Sequence, residues 1–229
     1  ALGCLVAALF GVRARDGPSP SCLFDDSAIP LVTRTQAGAA NHRCCDANHM
    51  PPVTTSLIVA NVAIFLLQSL LPGLVVPFAL WPLGAASASG GQVSFELWQL
   101  VTYAFLHGGL THLLFNMFAL YMFGSAVELV VGQRRYLVYY FVCVVAAAIA
   151  QLVVTHALGG IYPTVGASGG VFGLLFAYAV YFPHNRVMLL FFPVPIPSRI
   201  FVVIYAAIEL FLGVTGSQAG VAHFAHLGG

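Results

Sequence analysis

Apolar residues run along this chain in long blocks rather than at the spacing of a surface helix, and polar positions gather between the blocks. From Met50 onward the apolar runs cover about Val53 to Leu71, Leu110 to Val131, Tyr136 to Leu158, Ala167 to Phe182 and Ile200 to Val214, and a last one opens near Gln218. A bilayer-spanning helix takes about 20 mostly apolar residues, so the pattern predicts five spans and the start of a sixth. That sixth run stops at Gly229, short of a full span, and the rest of the helix is expected to be missing from the sequence. The fold class expected is an all-α polytopic membrane protein, a six-helix bundle over residues 50–229.

Composition narrows the class further. Of 229 residues, 60% are hydrophobic and 7% charged, against roughly 25% charged in an ordinary soluble domain. With a mean hydropathy of +0.94, the chain is also the opposite of a disordered one, which combines low hydrophobicity with high charge. All eight basic residues are arginine, and they form no basic stripe, so no nucleic-acid partner is expected. Four of the five cysteines (Cys4, Cys22, Cys44, Cys45) precede residue 50, in a spacing that spells neither a zinc site nor a disulfide framework.

Residues 1–49 differ from the remainder: they hold four of the eight arginines and four of the seven acids, without periodicity. Their first apolar stretch, Ala1 to Val12, is too short to span and carries Arg13 and Arg15 on the wrong side for a secretory signal. They are read as a non-core leader, disordered or a gene-model artefact, with Met50 as the natural start. The arginines after Met50 are Arg134 and Arg135, between spans two and three, and Arg186 and Arg199, between spans four and five. Positively charged loops stay on the cytoplasmic side. The opposite connections carry no basic residue, which puts the entrances of spans two, four and six at the outer face. The connection Pro72 to Gln99, with Phe78, Trp81, Phe95 and Trp98, reads as an interfacial element.

Buried polar side chains in a span are costly and therefore candidates for function. Three clusters stand out: His107 through His112 to Asn116 at the entrance to span two, Gly166-Ala-Ser168-Gly169-Gly170 with Gly173 opening span four, and His223-Phe-Ala-His226-Leu-Gly-Gly in the last span. The orientation drawn from the arginines brings all three to one depth below the outer surface. His112 and Asn116, four apart, share a helix face. Ser168 falls in a first helical turn, where unpaired N–H groups favour negative charge. Gly169 and Gly173 form a small-residue face that lets a neighbouring helix approach, and span six with His226 as that neighbour would bring a histidine base to the serine.

At these residues the chain resembles the rhomboid family of intramembrane serine proteases, through His-x4-His-x3-Asn, Gly-x-Ser-Gly and Ala-His-Leu-Gly-Gly in that order. The resemblance extends over Met50 to Gly229, with Glu96-Leu-Trp98-Gln99 and Gly124-Ser-Ala-Val-Glu128 around the first motif. It implies Ser168 as nucleophile, His226 as general base, and His112, Asn116 and the Ser168 N–H as oxyanion donors, with His107, Gly166, Gly169 and Gly173 in support. A dyad suffices in this family, so no catalytic Asp is expected. Phe172 stands where many relatives have tyrosine against the catalytic histidine, and Gln99 replaces a frequent arginine after Trp98.

The resemblance implies proteolysis of single-span membrane proteins near the outer interface, without cofactor or metal; a start at Met50 without a targeting sequence suggests a bacterial-type plasma membrane. A non-catalytic, helix-binding rhomboid-like protein is the alternative, and a small transporter a third. H-E-x-x-H and paired intramembrane aspartates, the marks of the other intramembrane proteases, are absent. Four polar residues receive blander readings. His107 is taken as structural and His223 as a lining histidine, Glu128 is expected to pair with Arg134 or Arg135, and Glu209 has no assigned partner.

Overall fold

The computed structural model describes residues 51–88, 93–188, 194–215 and 222–229. The expectations about residues 1–49, and about the opening of span six at Gln218, lie outside them. The described chain is helical apart from a small hairpin: α1 (Pro52–Leu70), α2 (Leu110–Val131), α3 (Gln133–Leu158), α4 (Ser168–Tyr181), α5 (Ser198–Thr215) and α6 (His223–Gly228), with β1 (Arg186–Met188) pairing antiparallel to β2 (Pro195–Pro197) between α4 and α5. Four of these helices, α1, α2, α3 and α5, are long and apolar enough to cross a membrane. The chain is a polytopic helical membrane protein.

α1 starts at Pro52, where proline's missing N–H and fixed φ cost nothing. Its free N–H groups are met from a distance: both carboxylate oxygens of Glu128, near the end of α2, accept from the backbone N–H groups of Val53 (3.0 Å) and Thr54 (2.7 Å), and the Thr54 hydroxyl adds a third bond at 2.8 Å. Glu128 is therefore a helix cap and not the arginine partner that its position in the chain suggested. Gln133 opens α3 directly after Gly132, whose φ of +83° lets the chain reverse from α2 into an antiparallel helix. Between Leu120 and Gly124, α2 widens into a π-helical turn, one turn beyond Asn116.

The connections at the opposite end are joined to one another. Leu80, between α1 and α2, and Thr164, between α3 and α4, exchange two backbone hydrogen bonds of 3.0 and 2.9 Å. Short helical turns at Val75–Phe78 and Gln99–Thr102 fill the first of these connections. They are fastened by Trp81 Nε1 to the Val76 carbonyl and by Trp98 Nε1 to that of Pro77. The described parts of the connection between α1 and α2 are thus folded rather than a free loop.

With 14 residues, α4 is shorter than α1, α2, α3 and α5, about 21 Å at 1.5 Å per residue. It is packed against α2, α3, α5 and α6, and Gly169, Gly170, Val171, Gly173, Leu174 and Leu175 are all buried. Its glycines make that central place possible: a Cβ on Gly169 would run into Ala147 of α3 and approach the Ala225 carbonyl of α6, and one on Gly173 would meet Cys143 of α3 and the Gly229 carbonyl. The small-residue face is thus shared between two neighbours, α3 and α6.

Candidate active site

A cavity of about 650 Å³ opens around the start of α4, lined among others by His112, Asn116, Tyr162, Ser168, Phe172 and His226. All three polar clusters contribute to it. At its floor, Ser168 Oγ and His226 Nε2 lie 2.8 Å apart, joining residues 58 positions distant in the chain. That is an ordinary hydrogen-bond distance, and it exists because the glycine face of α4 lets α6 come into backbone contact.

The His226 ring is held on its flat face as well. Phe172 of α4 stacks on it with ring centroids 4.6 Å apart and planes within 8°, and Tyr205 of α5 stacks on the other side of Phe172 at 5.0 Å. Phenylalanine at position 172 therefore keeps an aromatic wall against the imidazole. Its neighbour in the stack, Tyr205, comes from a helix that the motifs did not involve.

His112 stands opposite, above Gly166. The N–H of Gly108 points at His112 Nδ1 over 3.4 Å, a long contact that favours Nδ1 as the acceptor and leaves the ring proton on Nε2, facing the cavity. Gly166 has a φ of +128°, and its N–H donates to the Tyr103 carbonyl at 2.9 Å. A Cβ there would fall 2.8 Å from His112 Nε2 and 3.6 Å from Ser168 Oγ, so the empty space over Gly166 separates these two groups. Asn116, one turn below His112, gives one Nδ2 hydrogen to the His112 carbonyl at 2.9 Å and keeps the other. Ser168 begins α4, so its own N–H lies ahead of the intrahelical ladder, whose first bond runs from Val171 to the Ala167 carbonyl.

His107 does not line the cavity. It is buried beside it, its ring edge-on to His112 at 5.2 Å, and its backbone is clamped by Gln68 of α1: the His107 N–H donates to Gln68 Oε1 at 3.0 Å, and its carbonyl accepts from Gln68 Nε2 at 2.6 Å.

One residue of the site was missed as a participant. Glu209 of α5 is buried, and its Oε2 lies 3.0 Å from His226 Nδ1 and 2.6 Å from His223 Nδ1. His223 is thus fixed in the site rather than a loose lining group. Three such side chains could in principle surround a metal ion. Two ligands of one tetrahedral zinc, however, each about 2.0 to 2.2 Å from the metal, stand roughly 3.3 to 3.6 Å apart; the 2.6 and 3.0 Å separations here are shorter and are those of N–H···O bonds, so the contacts describe a hydrogen-bonded cluster. The available signal for Glu209 was an acid inside an apolar helix with no arginine near it in sequence.

Residues 94–229, more than half of the chain, match the Rhomboid domain. The chain belongs to the rhomboid family. Rhomboid protease GluP of Bacillus subtilis is 32% identical over 162 residues, 71% of this chain and 31% of the relative. Putative rhomboid protease YdcA of the same organism is 35% identical over 127 residues, 56% of this chain and 61% of the relative. Rhomboid protease GlpG of Klebsiella pneumoniae is 31% identical over 128 residues, 56% and 42% respectively. The match spans less than two thirds of the length of each of these rhomboid relatives.

Proposed function

We propose that this rhomboid protein is an intramembrane serine endopeptidase that cleaves single-span membrane proteins near the outer interface. The observation that carries the reading is the 2.8 Å contact between Ser168 Oγ and His226 Nε2 at the floor of a cavity that also receives His112 and Asn116. Serine is a poor nucleophile until a base removes its proton during attack. In this reading Ser168 Oγ attacks the scissile carbonyl while its proton passes to His226 Nε2, and His226 then returns the proton to the leaving amine. Water, activated by the same histidine, releases the acyl group.

The negative charge that develops on the carbonyl oxygen needs donors already in position. His112 Nε2–H, the second Asn116 N–H and the Ser168 N–H are suited to it, since none has its hydrogen committed to another group in the arrangement above. His107 supports His112 from behind. The short α4 sets Ser168 below the membrane surface, where a substrate helix must unwind before its peptide carbonyl is exposed. The reading needs no metal or cofactor. A bacterial-type plasma membrane with the cavity toward the outer face completes it, in line with the arginine distribution.

The test is labelling of the detergent-solubilised protein by a fluorophosphonate, with Ser168→Ala and His226→Ala alongside. Labelling that requires both residues is the expected result. Folded protein that neither labels nor cleaves a single-span substrate in proteoliposomes would refute the reading in favour of a non-catalytic helix-binding role.

A further inference from the structure

We infer, on the basis of that serine-protease reading, that Glu209 is a positioning residue that completes a Ser168–His226–Glu209 relay, with His223 as the group that anchors the carboxylate. The family pattern supplies only a serine and a histidine; the third and fourth members come from the geometry.

Glu209 presents a single oxygen, Oε2, to two imidazoles, at 3.0 Å from His226 Nδ1 and 2.6 Å from His223 Nδ1. An ionised carboxylate has no hydrogen to give, so each Nδ1 must be the donor. Fixing the His226 proton on Nδ1 leaves Nε2 as the free acceptor, and Nε2 is the atom that faces Ser168 Oγ at 2.8 Å. The other tautomer would present a donor to the serine and could not take its proton. When His226 does take that proton, the resulting cation lies against a buried carboxylate, where the attraction is much stronger than in water.

His223 makes the arrangement rigid. Its ring is buried and stands nearly perpendicular to that of His226, at 83° with centroids 6.3 Å apart, so the two N–H groups reach the same oxygen from different directions. Phe172 closes the face of His226, and Tyr205 stacks behind Phe172. The ionisable groups around the His226 ring are thus Glu209 and His223 on its Nδ1 side, Tyr205 beyond Phe172, and His112 across the cavity. Glu209 is the acid among them, and it comes from α5, not from the helices that carry serine and histidine. A movement of α5 would therefore withdraw the carboxylate from the base.

Turnover of a single-span substrate in proteoliposomes tests the relay with wild type, Glu209→Gln, Glu209→Asp and Ser168→Ala. Loss of the carboxylate is expected to lower kcat by about 10²-fold or more at nearly unchanged KM in Glu209→Gln, and Glu209→Asp, which keeps the charge, should retain more turnover than Glu209→Gln. A packing or neutral hydrogen-bonding role would reverse that order, since glutamine is the better isostere. Wild-type turnover in Glu209→Gln, with Ser168→Ala inactive, overturns the relay and leaves the protease reading intact. The second measurement needs neither turnover nor a stable variant at 209: nitrogen-15 NMR of histidine-labelled wild type, with signals assigned through His223→Asn and His226→Asn. A neutral His226 protonated at Nδ1 supports the relay, and one protonated at Nε2 overturns it whether or not a substrate is cleaved.

Discussion

A side chain at Gly166 meets two independent costs. Its φ of +128° is one that L residues rarely adopt, and a Cβ there would lie 2.7 Å from His112 Cε1. Both costs fall on the space between His112 and Ser168, where the substrate carbonyl is proposed to sit. Gly166→Ala should therefore lower kcat/KM by about 10²-fold or more, comparable to losing an oxyanion donor, with a smaller effect on unfolding temperature. Asn116→Ala removes such a donor directly and should cost about 10²-fold to 10³-fold in kcat; full turnover by that variant would exclude Asn116 from the oxyanion site. Phe172 tests the stack instead. Phe172→Tyr keeps the aromatic face and should leave activity within about threefold, whereas Phe172→Leu should cost about threefold to tenfold, the worth of one aromatic contact. His107 has a different signature: burial, reinforced by the neighbouring His112, pushes its imidazole down to about 4. The unfolded chain takes up that proton near pH 6.5. Stability present at neutral pH is thus lost as pH falls from about 6.5 toward 4, by on the order of 1 to 2 kcal/mol at pH 5, and unfolding temperatures at pH 7 and 5 should converge in His107→Gln.

Helices hold one another by their ends as well as their faces. Glu128, on α2, satisfies three donors at the start of α1, and the Thr54 hydroxyl it binds is also 3.1 Å from Tyr136 Oη on α3. Three helices meet at one buried carboxylate. Glu128→Ala leaves those N–H groups without a partner and should destabilise the protein by about 3 kcal/mol, read as a lowered unfolding temperature in detergent, with little change in turnover by the protein that remains folded. This element also separates what is legible in the sequence from what is not. The helices were readable because length and apolarity are local properties, and Ser168, His226, His112 and Asn116 because each stands in a short motif. The partners of Glu128 and Glu209 were not. The first binds backbone N–H groups, which leave no trace in side-chain pattern, and the second meets histidines from α6 that only helix packing brings to it.

The whole molecule is polarised. At one end lie the start of α1, the turn at Gly132 with Arg134 and Arg135 just beyond it at the start of α3, and the hairpin that begins at Arg186. At the other lie the bridge between Leu80 and Thr164 and the cavity wall at Tyr162. Arginine-bearing loops resist translocation, so the cavity should face away from the cytoplasm and its substrates should be cut on the outer side. In a background freed of native cysteines, Tyr162→Cys and His184→Cys mark the two ends, since both positions are exposed and neither touches Ser168 or His226. A membrane-impermeant maleimide added to intact bacterial spheroplasts should label Tyr162→Cys and spare His184→Cys, and inverted vesicles should give the opposite. Reversed labelling would keep the fold but turn the cavity toward the cytoplasm, and with it the face at which a substrate helix must unwind. Labelling of both from one side would contradict a passage of α4 from one face of the bilayer toward the other, because Tyr162 precedes α4 and His184 follows it.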